Sequence, residues 1–225
     1  MNRAINHIAM LTLKDLRIEA RGRQTIGLVV VLGILIVVVL ALGLGAGPGA
    51  NGLSATAILW VAYLFGGALV FEKTMAVERH DDALAGLLLA PIDRGSIFAA
   101  KLIANLVLMF ALALVVTPVA IVLFHFDLSV APGPFVLVMV ISLIGYAAIG
   151  TLFAAITSTT RMAGGFLAML VFPLTLPVVL SSTQVLKNVF EHQQALGGSG
   201  LAILIAFDVI FLVCSWLVFE MVLEA

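Results

Sequence analysis

The sequence predicts an all-α integral membrane protein, with six transmembrane helices, an interfacial helix before them and one charged loop among them. Three observations predict it. Hydrophobic residues make up 63% of the 225-residue chain, and its mean hydropathy is +1.26. A soluble domain of this size could not cover so much apolar surface, so lipid is the solvent for most of it. Apolar runs of spanning length recur along the chain, and nearly all Lys and Arg fall on one side of them.

The N-terminal segment comes first. Read as a helix over residues 10–23, it places Leu13, Leu16 and Ala20 on one stripe and Lys14, Arg17 and Arg21 on the next. This pattern fits an interfacial helix, its cations on lipid phosphates and its apolar stripe in the boundary layer. The alternative is a solvated lead-in whose charges only set topology. Leu11 and Ile18 fall off the apolar stripe, and Gly22 loosens the chain before the first span.

Six runs approach the roughly 20 residues needed to cross a bilayer: Ile26–Leu44, Ser54–Phe71, Ile97–Phe124, Pro134–Ile156, Gly164–Leu180 and Leu201–Leu223. GLGAGPGANG, HFDLSVAPG and STQVLKNVFEHQQALGGSG separate them on one side, and Thr157–Ala163 is a tight turn on the other. The first run is expected to be retained rather than cleaved as a signal peptide. Its charged lead and its apolar core both exceed that pattern.

Orientation follows from the cations. Arg3, Lys14, Arg17, Arg21, Arg23, Lys73, Arg79, Arg94, Lys101 and Arg161 share one side, and only Lys187 lies on the other. That side is expected to be cytoplasmic, with both termini inside.

Of eleven Lys/Arg and twelve Asp/Glu in the chain, nine fall between residues 72 and 101. Within this loop, over 72–96, Asp81 and Asp82 can cap a short helix. Leu84, Leu87 and Leu88 then line one face, Gly86 permits close approach, and Pro91 stops it. Asp93 or Ser96 offers a second cap leading into the third span. An apolar centre with a charged rim is the anatomy of a docking surface; the alternative is a loop folded against its own bundle.

The composition excludes several classes. There is no basic domain for nucleic acid. The single cysteine, Cys214, rules out an internal disulfide and a multi-thiol metal site. No phosphate loop of the GxxxxGK[ST] kind is present, so a nucleotide-driven motor would be a separate chain. No hydrolytic triad or carboxylate pair shares a face, so the chain alone is not expected to be an enzyme.

GALVFEKTMAVERHDDALAGLLLAPIDRGSIFAAKLIANL, together with LVFPLTLPVVL at 170–180, resembles the CcmB family, and the likeness covers essentially the whole chain. The loop pattern is shared with ABC-2 (type V) exporters at large; the PLTLP span narrows the match. The resemblance implies a permease subunit of a haem-exporter ABC complex in cytochrome c maturation. It would be driven by ATP through a CcmA-type ATPase and accompanied by a CcmC-type haem-handling membrane protein and a CcmE-type haem chaperone. A second copy of the chain is a further possible partner, and haem a possible substrate rather than a bound cofactor. The loop after the second span would be the coupling helix. Glu78, Arg79, Asp82, Leu84, Leu87, Leu88, Pro91 and Arg94 would then touch the ATPase.

Three readings follow: a mechanical transmitter acting on haem-handling partners, a haem pathway between two copies, or an ABC-2 permease for a lipid, drug or glycan. Between residues 102 and 180 the only charges are Asp127 and Arg161, which favours the transmitter. Pro173 and Pro177 each remove a backbone hydrogen bond from span five and are hinge candidates, or else mark a static kink. His125 and His192 are weak candidates for haem ligation; a headgroup-level polar residue is the alternative. Asp208, about 10 Å inside span six, is expected to face protein, water or a partner.

Overall fold

A computed structural model describes residues 2–22, 24–44, 52–80, 93–125, 127–159, 165–193 and 196–222. Every regular element among the described residues is helical: α1 (Asn2–Gly22), α2 (Gln24–Gly43), α3 (Gly52–His80), α4 (Arg94–Phe124), a 3-10 turn (Leu128–Val130), α5 (Pro132–Thr159), α6 (Phe166–His192) and α7 (Ser199–Val222). Helices α2 to α7 are each long and apolar enough to cross a bilayer. The chain is a multi-pass, all-α membrane protein.

Several helices outrun the apolar runs that announce them. α1 begins at Asn2 rather than near residue 10. α3 continues from Phe71 to His80 and α6 from Leu180 to His192. None of these extensions contains Gly or Pro, so nothing in the backbone stops the helix where the lipid ends. Of the loop expected over 72–96, residues 72–80 therefore belong to α3. Likewise, most of the loop expected between spans five and six is helix.

α3 and α5 form the centre, with 67% of their spanning residues buried in the bundle, against 22% for α2 and 17% for α7. α3 packs on α2, α4, α5 and α6; α5 packs on α3, α4, α6 and α7; α1 lies along α4 and touches the start of α2. Helices in lipid gain little by hiding apolar surface from one another, so close packing and hydrogen bonds hold them together. The α3–α5 contact uses both. Tyr146 fills the space where a side chain at Gly67 would stand, and Phe71 fills that at Gly150. The two rings meet edge to face at 5.1 Å. The Tyr146 hydroxyl donates to the Leu64 carbonyl. Nearer the other end, the Tyr63 and Thr117 hydroxyls lie 2.6 Å apart, tying α3 to α4 just before Pro118, which α4 accommodates without breaking.

Candidate functional site

The first three turns of α4 are where the bundle converges. Asp93, in extended conformation, caps the helix: its Oδ2 accepts from the Ser96 N–H at 3.3 Å. One residue into the first turn stands Gly95. A side chain there would strike the Trp216 ring of α7. Phe98 then meets Trp216 edge to face at 6.1 Å and Phe219 at 5.1 Å. The first turn of α4 is thus seated on α7 by an aromatic cluster.

The second turn grips α1. The Ala100 carbonyl accepts from Thr12 Oγ1 at 3.3 Å. Lys101 Nζ lies 2.8 Å from Asp15 Oδ2, with both side chains less than a tenth exposed, and Lys14 Nζ stands 3.4 Å from Asp15 Oδ1. Further along α1, Glu19 Oε1 accepts from the Ile26 N–H at 3.0 Å. It satisfies a donor that the first turn of α2 leaves without an intrahelical partner. The face of α1 turned to the bundle is therefore Thr12, Asp15, Leu16 and Glu19. Arg17 and Arg21 are exposed, as are Leu13 and Ala20. The expected apolar stripe is divided: Leu16 packs on the core, while the other two do not.

The third turn grips α3 and α5 together. Asn105 Nδ2 donates to Thr151 Oγ1 of α5, and its Oδ1 accepts from Thr74 Oγ1 of α3, both at 2.9 Å. Asn105 and Thr151 are fully enclosed. A side-chain amide can serve both neighbours at once because it carries a donor and an acceptor.

Of the expected docking loop, the two described ends belong to the helices of this hub. Glu78 and Arg79 lie in the last turns of α3, and Arg94 opens α4. Asp82, Leu84, Leu87, Leu88 and Pro91 lie outside the described residues. Pro173 and Pro177 sit within one continuous α6. Between them the buried Thr175 hydroxyl lies 3.1 and 3.0 Å from the Val171 and Phe172 carbonyls. Asp208 is buried against Gly145 of α5.

His125 and His192 are exposed at the other ends of α4 and α6. His125 ends α4 in the left-handed region. Near it, Asp127 caps the 3-10 turn: its Oδ1 accepts from Ser129 Oγ at 2.6 Å and from Ser129 N at 2.9 Å. These bonds hold its carboxyl below the usual range. Among the described residues no three His, Cys, Asp or Glu side chains converge as a metal site.

Sequence reasoning did not find Asp15, Asn105, Thr74 and Thr151, and it read Lys101 only as a topology signal. One cue was present: Asp15 and Glu19 are four residues apart, on a helix face away from Arg17 and Arg21.

The profile of the CcmB protein family matches residues 6–224. Heme exporter protein B of Paracoccus denitrificans is 29% identical over 183 residues, covering 79% of this chain and 81% of that protein. Heme exporter protein B of Haemophilus influenzae is 28% identical over 133 residues, covering 59% of this chain and 60% of that protein. The chain thus spans less than two thirds of the length of the Haemophilus relative. With the profile matched over almost its entire length, the chain belongs to the CcmB family.

Proposed function

We propose that the chain is the membrane subunit of an ABC-type complex, and that an ATPase subunit of the CcmA type drives it by docking on the segment between α3 and α4. The observation that carries this reading is the hub. A load applied just before Asp93 enters a helix whose first three turns hold α7, α1, α3 and α5 in succession. The basic end then faces the cytoplasm of a bacterial inner membrane, with both termini inside. Arg17 and Arg21, exposed on α1, lie among lipid phosphates, whereas Lys14, the third cation of the expected membrane-facing set, stands beside Asp15.

Haem is the cargo class that the relatives' printed names support. Within this class we favour transmission over conduction. Tyr63 is spent on Thr117 and Asn105 on Thr74 and Thr151 rather than lining a path, while Asp208 Oδ1, Ser142 Oγ and Ser215 Oγ are buried without a hydrogen-bond partner among the described residues. The complex would release a haem-loaded chaperone of the CcmE type by acting on a haem-handling membrane protein of the CcmC type. A second copy of this chain is a further candidate partner. Pro173 and Pro177 are the hinge candidates on the moving side.

The test is purification in mild detergent with mass analysis of the intact complex, followed by haem assays in vesicles. Stoichiometric ATPase and holo-chaperone formation without net haem flux are the expected results. Net haem flux by this chain and its ATPase alone would overturn transmission, and the absence of any ATPase subunit would overturn the whole reading.

A further inference from the structure

Lys101 and Asp15 are both ionic and both enclosed. Taking two charges from water is costly, and their attraction repays the cost only in good geometry with further hydrogen bonds. That geometry is present. The pair is 2.8 Å apart, and the more exposed Lys14 ammonium stands 3.4 Å from the other carboxylate oxygen. Thr12 fastens the adjacent turn to the Ala100 carbonyl. A helix needed only to mark topology, or to float on headgroups, would not require a buried ion pair on its inner face.

The position of the pair gives it a direction of action. Lys101 is seven residues, about 10 Å of helix, beyond Arg94, so it rides on the stretch of α4 nearest the proposed docking segment. On the other side of the joint, Asp15 lies one turn before Glu19, whose carboxylate holds the Ile26 N–H. A displacement of α4 therefore reaches α1, and through α1 the start of α2, without passing through the α3–α5 core.

We propose that Asp15 and Lys101 are positioning residues for energy coupling: their ion pair makes α1 and the first turns of α4 one rigid body, so that α1 and the start of α2 move with the docking segment. This rests on the proposed ATPase-driven function, yet the joint itself can be measured apart from that reading.

The experiment uses the complete complex in nanodiscs. Asp15→Asn and Lys101→Met are compared with the exchanged pair Asp15→Lys/Lys101→Asp, and ATP turnover and haem delivered to the chaperone are read in parallel. Each single change is expected to lower haem delivered per ATP by about fivefold or more, with the exchanged pair recovering most of it. An unchanged ratio in the assembled single variants overturns the proposal, as does an exchanged pair no better than either single variant.

The second arm places spin labels at Arg17→Cys and Ile103→Cys, both exposed positions, in a Cys214→Ser background. One narrow distance distribution is expected, unchanged by a trapped ATP analogue, and broadened by Lys101→Met. An equally narrow distribution with Lys101→Met overturns the joint. A complex without ATPase activity would overturn the proposed function alone, because the spin-label pair still decides the joint.

Discussion

The carboxyl of Asp208 on α7 rests against the bare backbone of Gly145 on α5. A methyl group at Gly145 would strike Asp208 Oδ1 and come within 3.2 Å of its Cγ and 3.3 Å of the Phe207 ring. Oδ1 is buried without a hydrogen-bond partner among the described residues, as is Ser142 Oγ one turn away on α5. The missing side chain at Gly145 is thus what lets a carboxyl of α7, the least buried of the spanning helices, sit against α5.

Gly145→Ala should therefore overpack this seam and cost about 1–3 kcal/mol, measured by reversible unfolding in mixed micelles. Asp208→Ala in the same chain should recover most of the loss. If both variants were equally destabilised, the two residues would not be in register. Asp208→Asn keeps the shape and should leave folding and assembly intact; loss of haem delivery in that assembled variant would mark a charge-dependent role.

Asn105 joins three helices, so removing it takes the donor from Thr151 and leaves Thr74 only the Phe71 carbonyl of its own helix. Asn105→Leu should destabilise by about 1–2 kcal/mol, the upper range for interhelical hydrogen bonds in membranes. In a double-mutant cycle with Thr151→Val the losses should be less than additive. Strict additivity would mean the 2.9 Å contact carries no energy.

Trp216 is a built-in reporter of the first turn of α4. The chain has two tryptophans, and Trp60 is buried while Trp216 is partly exposed. In a Trp60→Phe background, Gly95→Val should displace the Trp216 ring and raise its quenching by acrylamide. An unchanged emission spectrum and quenching constant would remove α7 from the hub.

Asp127 should show the acid limb of its cap. Its folded pKa is depressed by the two bonds from Ser129, so the cap contributes above the unfolded value and is lost as pH falls through the folded one. The Ser129 amide resonance should titrate with a midpoint below the ordinary aspartate value of about 3.9. A midpoint at or above that value would contradict the cap.

Six spans were legible in the sequence because hydropathy is a one-dimensional signal. Helix length was not. Hydropathy reports where lipid ends, and α3 and α6 continue past that point because residues 72–80 and 181–192 contain no breaker. The hub was hidden for a different reason. Lys101 reads as a topology charge until the rotation of α1 against α4 brings Asp15 beside it, and that rotation is a tertiary property. Asn105 was more accessible to reasoning: an amide inside a 31-residue apolar helix has to find partners in lipid, although the sequence does not say which ones.

On the proposed reading, work enters the bundle through the segment between α3 and α4. The most direct test of that reading combines Glu78→Lys, Arg79→Glu and Asp82→Lys with Leu84→Ala, Leu87→Ala and Leu88→Ala, reading ATPase co-purification and holocytochrome yield at matched membrane expression. The chain should still insert while retained ATPase falls about tenfold or more and holocytochrome falls with it. Undiminished ATPase attachment and holocytochrome yield would contradict the reading.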